Sequence, residues 1–404
     1  MSMRAGGRRL VVRALGATLV AGIALAVPGA LGGAPTVRPA GHSVASVDGY
    51  PQRIGFERSP APLPDRPGPL AATFYDNDFG NGFDVAVTSH GDLWKLDRGP
   101  NVLSPDGTRL LQLQSKEHHA RLVVHDLNDG TRRVFGDIFY LDASHDPTAR
   151  YSLSDQAPVY WAPDGSSVLG SIGEHPHPSR VRPMVLDLAS GGLKTVAGGV
   201  PAGFRSAEQP VTVRKVGGAR ASGGIVATTT DLRTGESNDL PLGLDHPWRG
   251  RPDSPLTASV SADGATLLLV EMRRGAYSHA TLRMFSMADG HEEPTRHLSP
   301  LDRGSCQAGW LGSDPVLPTK SQGKPAGSVL VTAHGSRALV AVHPRLQSFC
   351  VQWAEGALAA GPVWTLFGTW PYLWTWYWWE LLLAACVPLA GLLLAWRAVR
   401  SRGR

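Results

Sequence analysis

The chain has 404 residues, 42% of them apolar, with 47 Gly and 32 Pro. That is enough apolar matter for a core, and Gly and Pro at this density argue against a mainly helical chain and for short strands joined by turns. The formal charge of +5 misleads: Arg4, Arg8, Arg9 and Arg13 at one end and Arg397, Arg400, Arg402 and Arg404 at the other leave −3 for everything between them, which excludes a nucleic-acid binder with a basic folded domain.

Residues 1–37 read as a signal peptide or signal anchor. A basic start precedes an uncharged stretch at 14–37, ALGATLVAGIALAVPGALGGAPTV, the order of an n-region and an h-region. The small residues Ala24-Leu25-Ala26 offer a cleavage site, and both cleavage and retention stay open. Arg for Lys, with abundant Ala and Gly, points to a GC-rich genome such as an actinobacterial one. Residues 38–70 form a Pro-rich lead-in, and SVDGYPQRI at 46–54 is suited to adding a ring-closing strand to the last repeat.

From 71 to 346 one phrase recurs. LSPDGTRLLQ (103–112), WAPDGSSVLG (161–170) and VSADGATLLL (260–269) each place an Asp-Gly pair before alternating apolar residues. The pairs are Asp106-Gly107, Asp164-Gly165 and Asp263-Gly264, separated by 58 and 99 residues. Asp-Gly suits a tight hairpin, because Gly accepts positive φ and Asp bonds nearby backbone. A second plan, strand–turn–strand, recurs in 121–135, 182–196, 224–240 and 281–295. The third of these falls where the longer gap needs a repeat whose first turn is degraded. Residues 82–97 read as an earlier outer hairpin, and 309–318 with 328–344 as a last repeat. Periods of about 40–50 residues with such content mark propeller blades.

The SPDGTRL, APDGSSV and SADGATL turns resemble the WD40-like (PD40) repeats of TolB-type propellers. The resemblance covers about residues 90–345 and implies a turn between the inner strands of each blade, with a ligand face around a central channel. It implies no particular ligand, since propellers host enzymes, scaffolds and receptors alike.

Catalytic and metal motifs are weak. There is no G-x-S-x-G nucleophile elbow. Glu174, His175 and His177, and the pair His118 and His119, lack the spacing of a metal site. The acids around 75–84 and Asp137, Asp142 and Asp146 lack the order of a calcium loop. Cys306 and Cys350, 44 residues apart, are candidates for a disulfide in an oxidising compartment, worth about 3–4 kcal/mol by chain entropy; the alternative is two unrelated buried thiols.

Residues 347–370 read as an apolar juxtamembrane tether. Residues 371–396 read as a transmembrane helix, built on the sixteen uncharged residues 381–396. Trp370, Tyr372, Trp374, Trp376, Trp378 and Trp379 form an interfacial belt, since amphipathic rings favour the headgroup level. The basic tail, 397–404, then lies in the cytoplasm by the positive-inside rule.

The sequence therefore predicts an all-β chain, a β-propeller of about six four-stranded blades outside the cytoplasm, with an N-terminal signal or anchor segment and a C-terminal transmembrane helix. No cofactor, metal or nucleic acid is expected. The expected partners are membrane lipid, through the C-terminal helix, and an envelope protein. The expected role is a protein- or ligand-binding or scaffold module; the alternative is a propeller-type glycan hydrolase or lyase, which requires two acids converging at the channel mouth.

Overall fold

The computed structural model describes residues 47–363 except 56–59, 77–82, 98–100, 117–118, 136–137, 141–150, 154–157, 175–180, 217–223, 247–256, 273–279, 299–307, 320–326 and 343–347; beyond them it describes Cys386 and Gly391. The described residues 47–363 lie within one compact unit.

This unit is an all-β propeller of six blades, whose sheets are mostly antiparallel. Three examples show how sequence sets the plan. The second blade runs, from the channel outward, through Asn101–Leu103, Arg109–Lys116, His119–Asp126 and Arg132–Phe135. The fourth runs through Val200–Ser206, Gln209–Val216, Gly224–Thr230 and Ser237–Leu242. The fifth runs through Thr257–Val260, Thr266–Met272, Ala280–Ser286 and Arg296–Leu298. Central strands of these blades are buried on both faces, so they read as near-continuous apolar runs such as Leu267–Val270.

The other three blades depart from four plain strands. In the third, the innermost position is split between Tyr151–Leu153 and Tyr160–Trp161, both paired with Ser167–Glu174; Val181–Asp187 and Leu193–Thr195 complete it. Ile138–Tyr140 adds a parallel strand to it. The sixth runs through Gly309–Leu311, Asp314–Thr319, Gly327–Thr332 and Gly335–Val342, and Arg53–Ile54 of the lead-in lies parallel to Ala341–Val342 on its outer edge. The first holds Leu70–Asp76, Phe83–Thr88 and Leu93–Leu96, with Ala61–Pro62 parallel on the outside.

The innermost strand of the first blade comes from the far end of the propeller. Ser348–Trp353 pairs antiparallel with Leu70–Asp76, setting Trp353 against Ala72 and Gln352 against Thr73. A short helix, Glu355–Ala360, follows. This corrects the expected tether: 348–360 belong to the propeller. Their apolar character is used inside the fold, where Val351, Trp353, Ala354, Ala357 and Leu358 are buried. Among the described residues no helix is long and apolar enough to cross a membrane. The two expected membrane segments lie outside those residues, apart from Cys386 and Gly391.

The core is distributed between blades rather than gathered at one centre. Separate apolar clusters fill the second–third, third–fourth, fourth–fifth and fifth–sixth junctions. The largest joins the sixth, first and second blades beneath the helix. A single four-stranded sheet cannot bury both faces alone, so stacking around a ring is what makes each blade stable.

Candidate functional site

The three Asp-Gly pairs all lie in the turn between the innermost strand of a blade and the next one. Asp106 Oδ1 accepts bonds from Ser104 Oγ at 2.5 Å and Thr108 N at 3.1 Å, and Oδ2 one from Thr108 Oγ1 at 2.8 Å. Burial pushes its carboxyl up, but these bonds prevail and hold it below the usual carboxylate range. Asp263 repeats the pattern with Ser261 Oγ at 2.6 Å and Ala265 N at 3.0 Å, and is held low by them. Asp164 accepts from Ser166 N and Ser166 Oγ. These bonds tie each aspartate to its own turn, which it shapes.

The glycines have a further role. Gly107, Gly165 and Gly264 have φ of 71°, 68° and 72°. A Cβ on Gly107 would sit 2.3 Å from Leu70 O, and one on Gly264 2.1 Å from Arg205 O, both in the preceding blade. At Gly165 it would meet the Arg109 guanidinium of the preceding blade at 2.0 Å. Each turn is therefore a contact point between blades.

The turns between the third and outermost strands are tied to the same points. Leu127, Leu188, Leu232 and Met287 donate backbone N–H bonds of 2.8–3.0 Å to the carbonyls of Thr108, Ser166, Glu208 and Ala265. Two recurrent phrases in the sequence are thus two halves of one hydrogen-bonded unit. The fourth blade lacks Asp-Gly but keeps the bond through Glu208.

The helix and Ser348–Trp353 bring a different set of groups to this turn face. Gly356 N donates to Pro105 O at 2.7 Å and Ala354 N to Ala71 O at 2.9 Å, which seats the helix on the Asp106 turn. Val47 N donates to Asp106 O at 3.2 Å. The helix start lies beside a small depression at the channel mouth, part of it open to solvent. Its walls come from four innermost strands: Val102 and Leu103, Trp161, Ala308 and Gly309, and Gln352 and Trp353; Pro105 and Glu355 complete it.

The polar chemistry of this mouth is unbalanced. Glu355 keeps some contact with solvent yet sits deep in the concavity, and burial alone pushes its carboxyl up to about 7. Gln352 Oε1 is buried and accepts no hydrogen bond. The indole N–H groups are already committed: Trp353 to Ser328 Oγ at 3.0 Å and Trp161 to the Val102 carbonyl at 3.1 Å. Arg109 lies 5.4 Å over the Trp161 ring, and Tyr50 meets Trp353 edge-on at 5.9 Å. Perturbed carboxyls in clefts cluster at functional sites. Neither Gln352 nor Glu355 belongs to a repeat, so sequence reading missed both; the one signal was an acid opening the helix-forming run EGALAA.

Among the described residues there is no group of three His, Cys, Asp or Glu side chains placed to hold a metal ion. His118, His175, His177, Asp137, Asp142 and Asp146 lie outside the described residues, as do Cys306 and the belt formed by Trp370, Tyr372, Trp374, Trp376, Trp378 and Trp379. Cys350 lies in the closing strand.

No family model and no curated protein matches the chain. Solved structures do. TolB from Acinetobacter baumannii aligns at 15% identity over 72% of this chain and 66% of its own, just under two thirds, with a TM-score of 0.46. A putative TolB from Agrobacterium tumefaciens aligns at 14% over 70% and 98%, with a TM-score of 0.38. A prolyl endopeptidase structure aligns at 15% over 60% and 36%, with a TM-score of 0.40. These are likenesses of chain path, at identities that say nothing of ligand or partner.

Proposed function

We propose that the chain is an extracytoplasmic propeller, held at the membrane by its C-terminal segment, that works as a binding module of the cell envelope. The observation that carries the binding role is the described channel mouth. It has one carboxyl, one amide oxygen and apolar walls from four blades, the mixed lining of a recognition site. The glycan-hydrolase reading calls for two carboxyls about 5–10 Å apart, whereas Glu355 is the one acid in this lining among the described residues and the neighbouring Asp106 is held in its turn by Ser104 and Thr108. Anchorage is supported by the charge-free segment and Trp belt of the sequence.

The test is crosslinking in the native host with the full chain, beside an unrelated exported domain on the same C-terminal segment. A protein enriched with the propeller and not with the control is expected. Equal recovery from both overturns the protein-binding form of the reading. Protease added to intact spheroplasts is expected to digest the propeller, and full protection overturns the extracytoplasmic placement.

A further inference from the structure

The channel mouth sets two hydrogen-bond acceptors, Gln352 Oε1 and the Glu355 carboxyl, in one lining. Gln352 Oε1 is buried with no partner, and burial is the one influence on the Glu355 carboxyl. The indole N–H groups that line the same space point their bonds elsewhere. A buried polar atom left without a partner is costly, and an unpartnered amide oxygen beside a half-buried carboxyl favours a ligand that donates.

We propose that this pocket takes the ammonium tip of a primary amine, with Glu355 as counter-charge, Gln352 Oε1 as second acceptor and the Trp353 ring as wall for the methylene stem. The proposal rests on reading the mouth as a binding site. A divalent metal is a poor match, because calcium takes about 6–8 oxygen ligands and magnesium about six, and the lining offers one carboxyl and one amide oxygen. An ammonium is satisfied by two or three acceptors and carries an apolar stem that packs on aromatic faces.

Recognition should follow the ionisation of Glu355. Among the described residues, the other charged groups on the elements around it are Asp48 of the N-terminal segment, Asp106 and Arg109 of the second blade, Asp164 of the third, held by Ser166, and Arg337 and Asp314 of the sixth. Asp106 is held by Ser104 and Thr108, Asp314 by Arg296 at 2.7 Å, and Arg109 packs on Trp161. The Tyr50 hydroxyl is pushed up by burial and is neutral throughout. With the Glu355 carboxyl near 7, the ionised fraction rises about tenfold from pH 6 to pH 8, while an alkylamine stays charged.

The experiment is calorimetric titration of the full chain in detergent with n-butylammonium, against n-butanol as the neutral isostere. Butylammonium should bind about tenfold more tightly at pH 8 than at pH 6. Glu355→Gln should remove the pH step and most of the affinity at pH 8. Gln352→Leu should weaken binding several-fold with the pH step intact. A second arm uses an acetylated, amidated Gly-Lys-Gly peptide: tighter binding than butylammonium assigns the amine to a lysine of a protein partner, and equal binding to a free small amine. The proposal falls if butanol binds as well as butylammonium, if Glu355→Gln binds like the wild type at pH 8, or if the wild type binds no amine there. Where the peptide arm assigns the amine to a protein lysine, a crosslinked partner recovered equally with Glu355→Gln overturns this inference and leaves the binding-module reading in place.

Discussion

At the scale of single residues, glycine does two separable jobs. Gly235 and Gly264 have nearly the same positive φ, 77° and 72°, but a Cβ on Gly235 meets nothing within 4 Å, whereas one on Gly264 meets Arg205 O at 2.1 Å. Gly235→Ala is expected to cost about 1 kcal/mol, the left-handed backbone alone. Gly264→Ala is expected to cost at least about 2 kcal/mol, because backbone of the fourth blade must move. Urea midpoints of the two variants measure the difference. Two glutamates make opposite statements about pH. Glu292 lies in a buried cluster, bonded to Arg283 Nε and Nη2 at 2.6 Å each, with Glu271 3.8 Å from the same guanidinium. Burial pushes Glu292 up, but the Arg283 bonds prevail and its carboxyl lies below its ordinary 4.5. Its folded pKa is lower than its unfolded one, so its contribution is whole above about pH 4.5 and fades as pH falls through the folded value. Arg283→Met leaves that charge buried and unpaired, and a loss of about 3–5 kcal/mol is expected at pH 7. Glu355 behaves the other way. Its raised pKa penalises the fold progressively from about pH 4.5 to pH 7. Glu355→Gln should therefore stabilise the protein at pH 8, by up to about 3 kcal/mol, and be neutral at pH 4. A pH series of denaturant midpoints tests both, and no gain at pH 8 would mean that Glu355 is ordinarily solvated.

At the scale of elements, the strands most readable in sequence are those that repeat. Leu110, Leu169 and Leu267–Leu269 follow an Asp-Gly turn and are buried, so turn chemistry and apolar pattern agree. The fourth blade was legible from its outer hairpin at 224–240 and from the gap it fills, not from an Asp-Gly turn. Its inner strand is bulged at Gly203 and again after Phe204, and Gly203 has φ 124°. Tyr160 of the third blade packs beside Gly203 and donates its hydroxyl proton to the Ala258 carbonyl of the fifth. That bond skips a blade, which no local pattern announces. The closing strand was misread for a different reason. Its apolar run continues into the Trp-rich segment, and composition cannot separate residues buried in a fold from residues facing lipid. The lead-in strands Tyr50–Pro51, Arg53–Ile54 and Ala61–Pro62 have two residues each, too short for any periodicity. The candidate site was illegible because its parts, Gln352 and Glu355, meet the other walls only after the ring has closed. Trp353→Phe tests the closure: it removes the bond to Ser328 of the sixth blade, and a loss of about 1–2 kcal/mol is expected in thermal unfolding.

At the scale of the whole molecule, the propeller is fastened at both ends of its chain. Arg53–Ile54 extends the sixth blade outward, and Ser348–Trp353 supplies the first blade from within. The helix then packs on both neighbours: Gly356 N bonds the Pro105 carbonyl, and Leu358 touches Gly309. A chain ended at residue 346, the boundary read from sequence, keeps every Asp-Gly turn but lacks the closing strand, the helix and the acid of the channel mouth. It is expected to lose the cooperative unfolding transition seen by circular dichroism in the full chain, rather than to unfold at a slightly lower temperature. A cooperative transition retained by the shortened chain would show that the six sheets hold together without the closing strand.

The closing strand also sets an order of events during biosynthesis. Leu70–Asp76 is among the first strands made, and the strand that covers its inner edge is the last of the propeller to leave the ribosome. Until then the first blade has an unpaired edge, an invitation to wrong partners, and the contact that resolves it spans nearly the whole domain, the slowest kind to form. Completion of the ring and completion of the channel mouth are the same event, so a nascent or truncated chain lacks the proposed site until its architecture is finished.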